Sequence, residues 1–257
     1  VIKNTLPTSP HLISWLVSKG EDEGKDIADE RAHYGTFLHQ EFGVLLMTGK
    51  YDLDKLSKRL QDYAIKERIT IKPDWEGELK RDMMALAQFM IDKKVIPLAI
   101  EVILWHPTDL YAGALDLVCE MDYEEKGFFG ETYSSGVRKG EQKESKRLVR
   151  IPAIIDLKSG RKGFYESHQI QLGAYREMWQ IHYPNMPIKH LFNVSPKDWR
   201  TTPSYNLTEQ SEAKAIGKLP YLTALNKLTE SNKNTTSTIL SGIIDVRNDL
   251  SSNIKEK

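Results

Sequence analysis

The chain has 257 residues, enough for one substantial core, and its 40% hydrophobic and 28% charged content excludes a disordered or fibrous chain. Lysine plus arginine and aspartate plus glutamate stand at 36 each, so a coat of positive charge is excluded, but a local basic path for phosphates is not. The single cysteine, Cys119, excludes an intrachain disulfide and a four-cysteine iron–sulfur or zinc site.

Residues 10–17 read as a short helix, with Gly20 beyond it. Residues 25–47 have helical composition, and Gly49 supplies a stop. Apolar residues recurring at intervals of three and four predict two more amphipathic helices over 53–69 and 74–93. Pro73 lies where a helix start tolerates proline. The pattern then changes to β-branched and apolar runs of strand length at 96–104, 111–121 and 148–158. The polar stretch 122–147 reads as a long hairpin connection with room for a short ribbon. Helical spacing returns at 164–182, strands are expected at 188–194 and 204–207, and a helix at 209–228. This order predicts an α+β fold, a central mixed sheet flanked by helices with a helical region at the N-terminus. The longest apolar runs are too short for a bilayer, and no signal peptide is visible. No membrane association and a cytoplasmic location are therefore expected, and the lone thiol suits that compartment.

Four places carry chemistry. Asp156 and Lys158 lie two apart on an expected strand and share a face, with Ile155 and Leu157 on the other. Charges in an apolar strand are costly to bury without partners, and the plain alternative is an edge-strand salt bridge. Asp116 is a lone carboxylate in the small, apolar segment 112–118, on the face of Ala114 and Val118 by alternation. If these two strands pair, Asp116 and Asp156 sit side by side and repel unless a cation lies between them. Hard oxygen ligands favour magnesium or manganese. On a helix, Gly35, His39 and Gly43 share one face. Glycine inside a helix costs about 1 kcal/mol relative to alanine, so two of them flanking a histidine suggest close approach by another group. His168, Gln171 and Tyr175 share a later helix face and could contact phosphates or fix the lysine. A surface amide and a half-buried tyrosine are the plain alternative.

In order, Gly35-x-x-x-His39, Gly113-x-x-Asp116, Asp156-x-Lys158 and Gln171-x-x-x-Tyr175 resemble the PD-(D/E)XK nuclease superfamily, in its RecB-like and phage-exonuclease branch. The resemblance covers roughly 35–195. It implies a restriction-endonuclease-like core within a single nuclease domain over 1–230, helical to about 94 with the sheet core at about 95–200. The tail 231–257 is expected to be partly mobile. By position, the resemblance makes His39, Asp116, Asp156 and the Leu157 backbone carbonyl metal ligands. Glu101 is left open between a metal contact and a structural role. Lys158 would orient or activate water and stabilise phosphate charge, with Gln171 and Tyr175 supporting it or touching DNA. Substrate contacts are expected from Ser159, Arg161, Lys162, His168, Gln171 and Tyr175. The implied cofactor is one or two Mg2+ or Mn2+ ions, with no iron–sulfur cluster.

The leading functional expectation is a metal-dependent DNA exonuclease of phage or mobile-element origin, serving recombination or repair. Its substrate would be linear duplex or single-stranded DNA, and its partner a recombinase or single-strand-annealing protein. A structure-selective endonuclease, a non-catalytic DNA-binding protein that kept the fold, and an α+β domain with coincidental motifs stand beside it. The basic residues Arg138, Lys139, Lys143, Lys146, Arg147 and Arg150 could guide a DNA backbone or decorate a solvated hairpin.

Overall fold

A computed structural model describes residues 14, 17–160 and 163–234. Most of the helix expected at 10–17, the loop residues Arg161 and Lys162, and the tail from 235 lie outside the described residues.

The N-terminal region is helical. Helix α1 (Glu21–Thr48) ends at Gly49, which adopts φ +65° and returns its N–H to the Leu45 carbonyl at 2.8 Å. Glycine enters the left-handed region without a Cβ penalty, which suits it to closing a helix this way. A 3-10 turn (Leu53–Lys55) leads into α2 (Leu56–Glu67), and α3 (Trp75–Asp92) follows. These match the expected helices to within a few residues.

Five strands form one sheet in the order β1-β2-β3-β4-β5. They are β1 (Ile96–Trp105), β2 (Ala112–Thr132), β3 (Gln142–Leu157), β4 (His190–Lys197) and β5 (Ser204–Gln210). The first three form an antiparallel meander. Helix α4 (Glu166–His182) crosses over so that β4 runs parallel to β3, and β5 returns antiparallel to β4. The sheet is therefore mixed, flanked by helices and preceded by a helical region. The stretch 122–147 is mostly strand: β2 and β3 stay paired out to Thr132↔Gln142 as a long ribbon. The helix expected at 209–228 is two, α5 (Glu212–Gly217) and α6 (Leu219–Asn234). Pro220 sits in the first turn of α6, where a missing N–H is tolerated.

Two cores sandwich the sheet. On one side Phe37, Leu38, Phe42 and helices α2 and α3 pack on Leu117, Cys119, Ile155 and Leu157. On the other, Ile170, Ala174, Met178 and Trp179 of α4 pack on Leu115, Val118 and Ile154. No helix among the described residues is long and apolar enough to cross a membrane.

Candidate active site

The site forms where β2 and β3 part. Their ladder runs to Leu117↔Ile155. One residue further, the Leu157 N–H donates to Asp116 Oδ2 at 2.8 Å, so a side chain takes the place of a backbone partner. Simple alternation fails at this point. Gly113 and Leu115 face α4, Leu117 faces the N-terminal helices, and Val118 faces α4 again. Asp116 sits at this one-residue slip, so it does not share a face with both Ala114 and Val118. Its carboxylate lies in the gap between strands. The register of β1 against β2 passes from Ile100↔Leu117 to Val102↔Leu115, and Glu101, opposite Asp116, takes φ +50°.

Asp156 is 1% exposed and lies on β3, the central strand, which removes the edge-strand alternative. Lys158 Nζ lies 3.1 Å from its Oδ1 and 2.9 Å from its Oδ2. Lys158 also donates to Gln171 Oε1 at 2.9 Å, and Gln171 Nε2 donates to the Tyr175 hydroxyl at 2.7 Å. Both α4 residues thus buttress the lysine. His39, on α1, places Nδ1 3.4 Å from Asp116 Oδ1.

The electrostatics follow from burial. Burial drives the Asp156 carboxyl up to about 6, against the Lys158 charge and with that of Asp116. Burial opposes the charged form of His39, but the hydrogen bond and charge of Asp116, with Asp156 behind it, outweigh that, and its pKa is raised. Burial and the Lys158 charge push His168 down to about 4. Its Nδ1 accepts the Tyr165 N–H at 3.2 Å, so the neutral ring carries its proton on Nε2.

The glycines explain the close approaches. A Cβ on Gly35 would stand 3.0 Å from Ser159 Oγ, and one on Gly43 would stand 3.3 Å from Glu101 Oε1. Both lie on the α1 face that carries His39. A Cβ on Gly113 would meet Tyr175 Cε1 at 2.8 Å, so the third glycine makes room for the tyrosine ring. Beside Lys158 opens a cleft of about 740 Å³, lined in part by Arg31, Tyr34, Asp82, Ser159, Tyr165 and His168.

The structure thus brings together His39, Asp116, Asp156, Leu157, Lys158, Gln171 and Tyr175, with Ser159 and His168 at the adjoining cleft. Glu101 lies alongside, against Gly43. Arg161 and Lys162 fall outside the described residues. The basic ribbon pairs its own charges, with Arg147–Glu125 at 2.6 Å, Arg138–Glu141 at 2.7 Å and Lys146–Glu124 at 3.0 Å. Those pairs are what a solvated hairpin requires.

Sequence reasoning missed Asn193. It is 0% exposed on β4 and donates to Asp156 Oδ2 at 2.7 Å. The signal was a lone amide between Phe192 and Val194 in an apolar strand, the same signal that marked Asp116 and Asp156.

Among the described residues, no three of His, Cys, Asp and Glu are gathered as a ready cation cage. The donors nevertheless suit a hard divalent ion. Magnesium keeps several waters and needs only one or two carboxylates from the protein. The 3.4 Å between His39 Nδ1 and Asp116 Oδ1 brings a nitrogen and a carboxylate oxygen together.

No protein-family model matches the chain, and no curated protein matches its sequence. Among solved structures, a crystal structure from Eubacterium rectale, named as a candidate exonuclease, aligns with TM-score 0.39 and 10% identity. The alignment covers 72% of this chain and 65% of that one, so the chain spans just under two thirds of that protein's length. A likeness of this size carries nothing about function.

Proposed function

We propose that this chain is a Mg2+- or Mn2+-dependent deoxyribonuclease that hydrolyses phosphodiester bonds, acting as an exonuclease in recombination or repair. The observation that carries the reading is the convergence of two carboxylates, an imidazole and a buttressed lysine at the parting of two strands, beside an open cleft. An ordinary buried ion pair needs only Asp156 and Lys158. It does not need Asp116 turned into the gap, His39 brought onto it, or three glycines cleared around them.

Asp116, Asp156, His39 and the Leu157 carbonyl would hold the ion. The N–H and C=O of one residue share a strand edge, so the Leu157 carbonyl faces the gap where its N–H meets Asp116. The chemistry such an ion supplies when bound is polarisation of the phosphate and activation of water for in-line attack. Lys158 has three N–H donors, and Asp156 and Gln171 engage two of them. The third serves charge that develops on the phosphate. His168, held neutral, presents an N–H from the cleft wall, and Ser159 adds a hydroxyl there. Arg161 and Lys162 follow this strand in the sequence and are assigned to the DNA backbone. Phage or mobile-element origin, and a recombinase or single-strand-annealing partner, rest on the four-motif resemblance alone.

The test is degradation of end-labelled linear duplex and single-stranded DNA with Mg2+ or Mn2+, beside Lys158→Ala. Loss of label from linear DNA, with circular DNA intact, is expected. Cleavage of circles would shift the reading to an endonuclease. Equal activity of wild type and Lys158→Ala, or no metal-dependent activity, would remove it.

A further inference from the structure

We propose that Asn193, locked in turn by Gln210, is a positioning residue that fixes the plane of the Asp156 carboxylate and thereby sets how tightly the site takes a divalent cation. This rests on the metal-dependent reading above.

Asn193 has one end that donates and one that accepts, and its neighbours decide which end faces which way. It is fully buried and stands beside Asp156 in the parallel β3–β4 ladder. An ionised carboxylate only accepts, so the NH2 end must face Asp156, and Nδ2 lies 2.7 Å from Oδ2. The carbonyl end then faces β5, where Gln210 Nε2 donates to it at 2.9 Å. The carboxylate thus sets the polarity of the whole row, and Gln210 holds the Asn193 amide against a flip.

The consequence falls on Asp156. The final torsion of an aspartate side chain is broad and roughly two-fold, so packing alone fixes it poorly. Lys158 sits in the fork between both oxygens and tolerates rotation between them. The Asn193 bond removes that freedom. It ties Oδ2 to β4 and so fixes where Oδ1 points, beside Lys158 Nζ at 3.1 Å. Asn193 cannot reach DNA from a fully buried position, so any functional effect must pass through Asp156.

The test is calorimetric titration of Mn2+ into wild type, Asn193→Leu, Gln210→Leu and the double variant, with thermal melts alongside. Groups that orient a metal-binding carboxylate typically change metal affinity by about 10–100-fold. That weakening is expected for Asn193→Leu, with a smaller loss for Gln210→Leu. The double variant should bind no more weakly than Asn193→Leu alone, because Gln210 acts only through Asn193. The Mn2+ concentration for half-maximal DNA cleavage should rise in step. A folded Asn193→Leu variant that binds Mn2+ as wild type does overturns the proposal. Should that variant not fold, the half-buried Gln210→Leu decides alone, and unchanged affinity overturns it. Wild type that neither binds Mn2+ nor cleaves DNA overturns the metal-dependent reading as well. Wild type that binds Mn2+ beside variants of equal affinity overturns the Asn193 assignment only.

Discussion

The β2–β3 pair carries charged residues at both ends, and the two ends use them differently. On the ribbon, Arg147–Glu125 and Lys146–Glu124 face each other across the strands with more than 40% of every side chain exposed. At the other end, Asp156 is buried and Asp116 largely so, and beyond Lys158 and the Leu157 N–H the network draws on His39 of α1, Gln171 of α4 and Asn193 of β4. Solvent screens the first set, so its pairs are nearly interchangeable. Burial removes that screening from the second, so each charge needs a specific neighbour, and position within the network matters. The same residue types are therefore solvated at one end and held in a specific buried network at the other.

The largest effect that would sharpen this contrast is expected from Lys158→Ala. Removing a donor aimed at developing charge typically lowers turnover by about 10²–10³-fold. It also leaves the buried Asp156 carboxylate short of its main partner, which costs about 3–5 kcal/mol. Nuclease assays and denaturant melts read both. A ribbon-sized change in stability would mean that Asp156 is better solvated than its burial implies.

Next comes Gly113→Ala. Its methyl would stand 2.8 Å from Tyr175 Cε1, so the ring must move and loosen its hold on Gln171. Overpacking of this kind costs about 1–3 kcal/mol. Gly35→Ala meets only the rotatable Ser159 hydroxyl at 3.0 Å and should cost less. Equal melting temperatures for the two variants would refute that ordering.

A pH effect is confined to acid solution. His168 titrates at about 4 in the folded chain, below the ordinary histidine value of about 6.5. Between those values the unfolded chain binds the extra proton, so stability rises with pH. As pH falls through this window, wild type should lose stability that His168→Gln keeps. Parallel melting-temperature curves for the two proteins from pH 7 to 4 would show that His168 is not held neutral.

The smallest change is expected from Arg147→Ala on the ribbon. Losing the exposed pair with Glu125 should alter stability by about 0–1 kcal/mol, and less in high salt. A larger, salt-independent loss would break the comparison, because the ribbon would then depend on its ion pairs as the site does.

The three N-terminal helices, the meander and the crossover helix follow from local rules of spacing and capping, and their presence and order are legible in the sequence. So was the order of the four motifs, because lone charges and paired glycines stand out against apolar surroundings. The strand content of 122–147 was hidden, since a solvated ribbon has no buried face to impose alternation. The slip at Asp116 was hidden too. Alternation assumes an unbroken pleat, and only in the fold does that carboxylate meet the Leu157 N–H. Asn193 and Gln210 meet Asp156 only because β4 lies beside β3 and β5 beside β4. The sequence by itself determined which groups are costly to bury. Tertiary structure decided which of them share that cost, because hydrogen bonds between distant segments depend on which strands become neighbours.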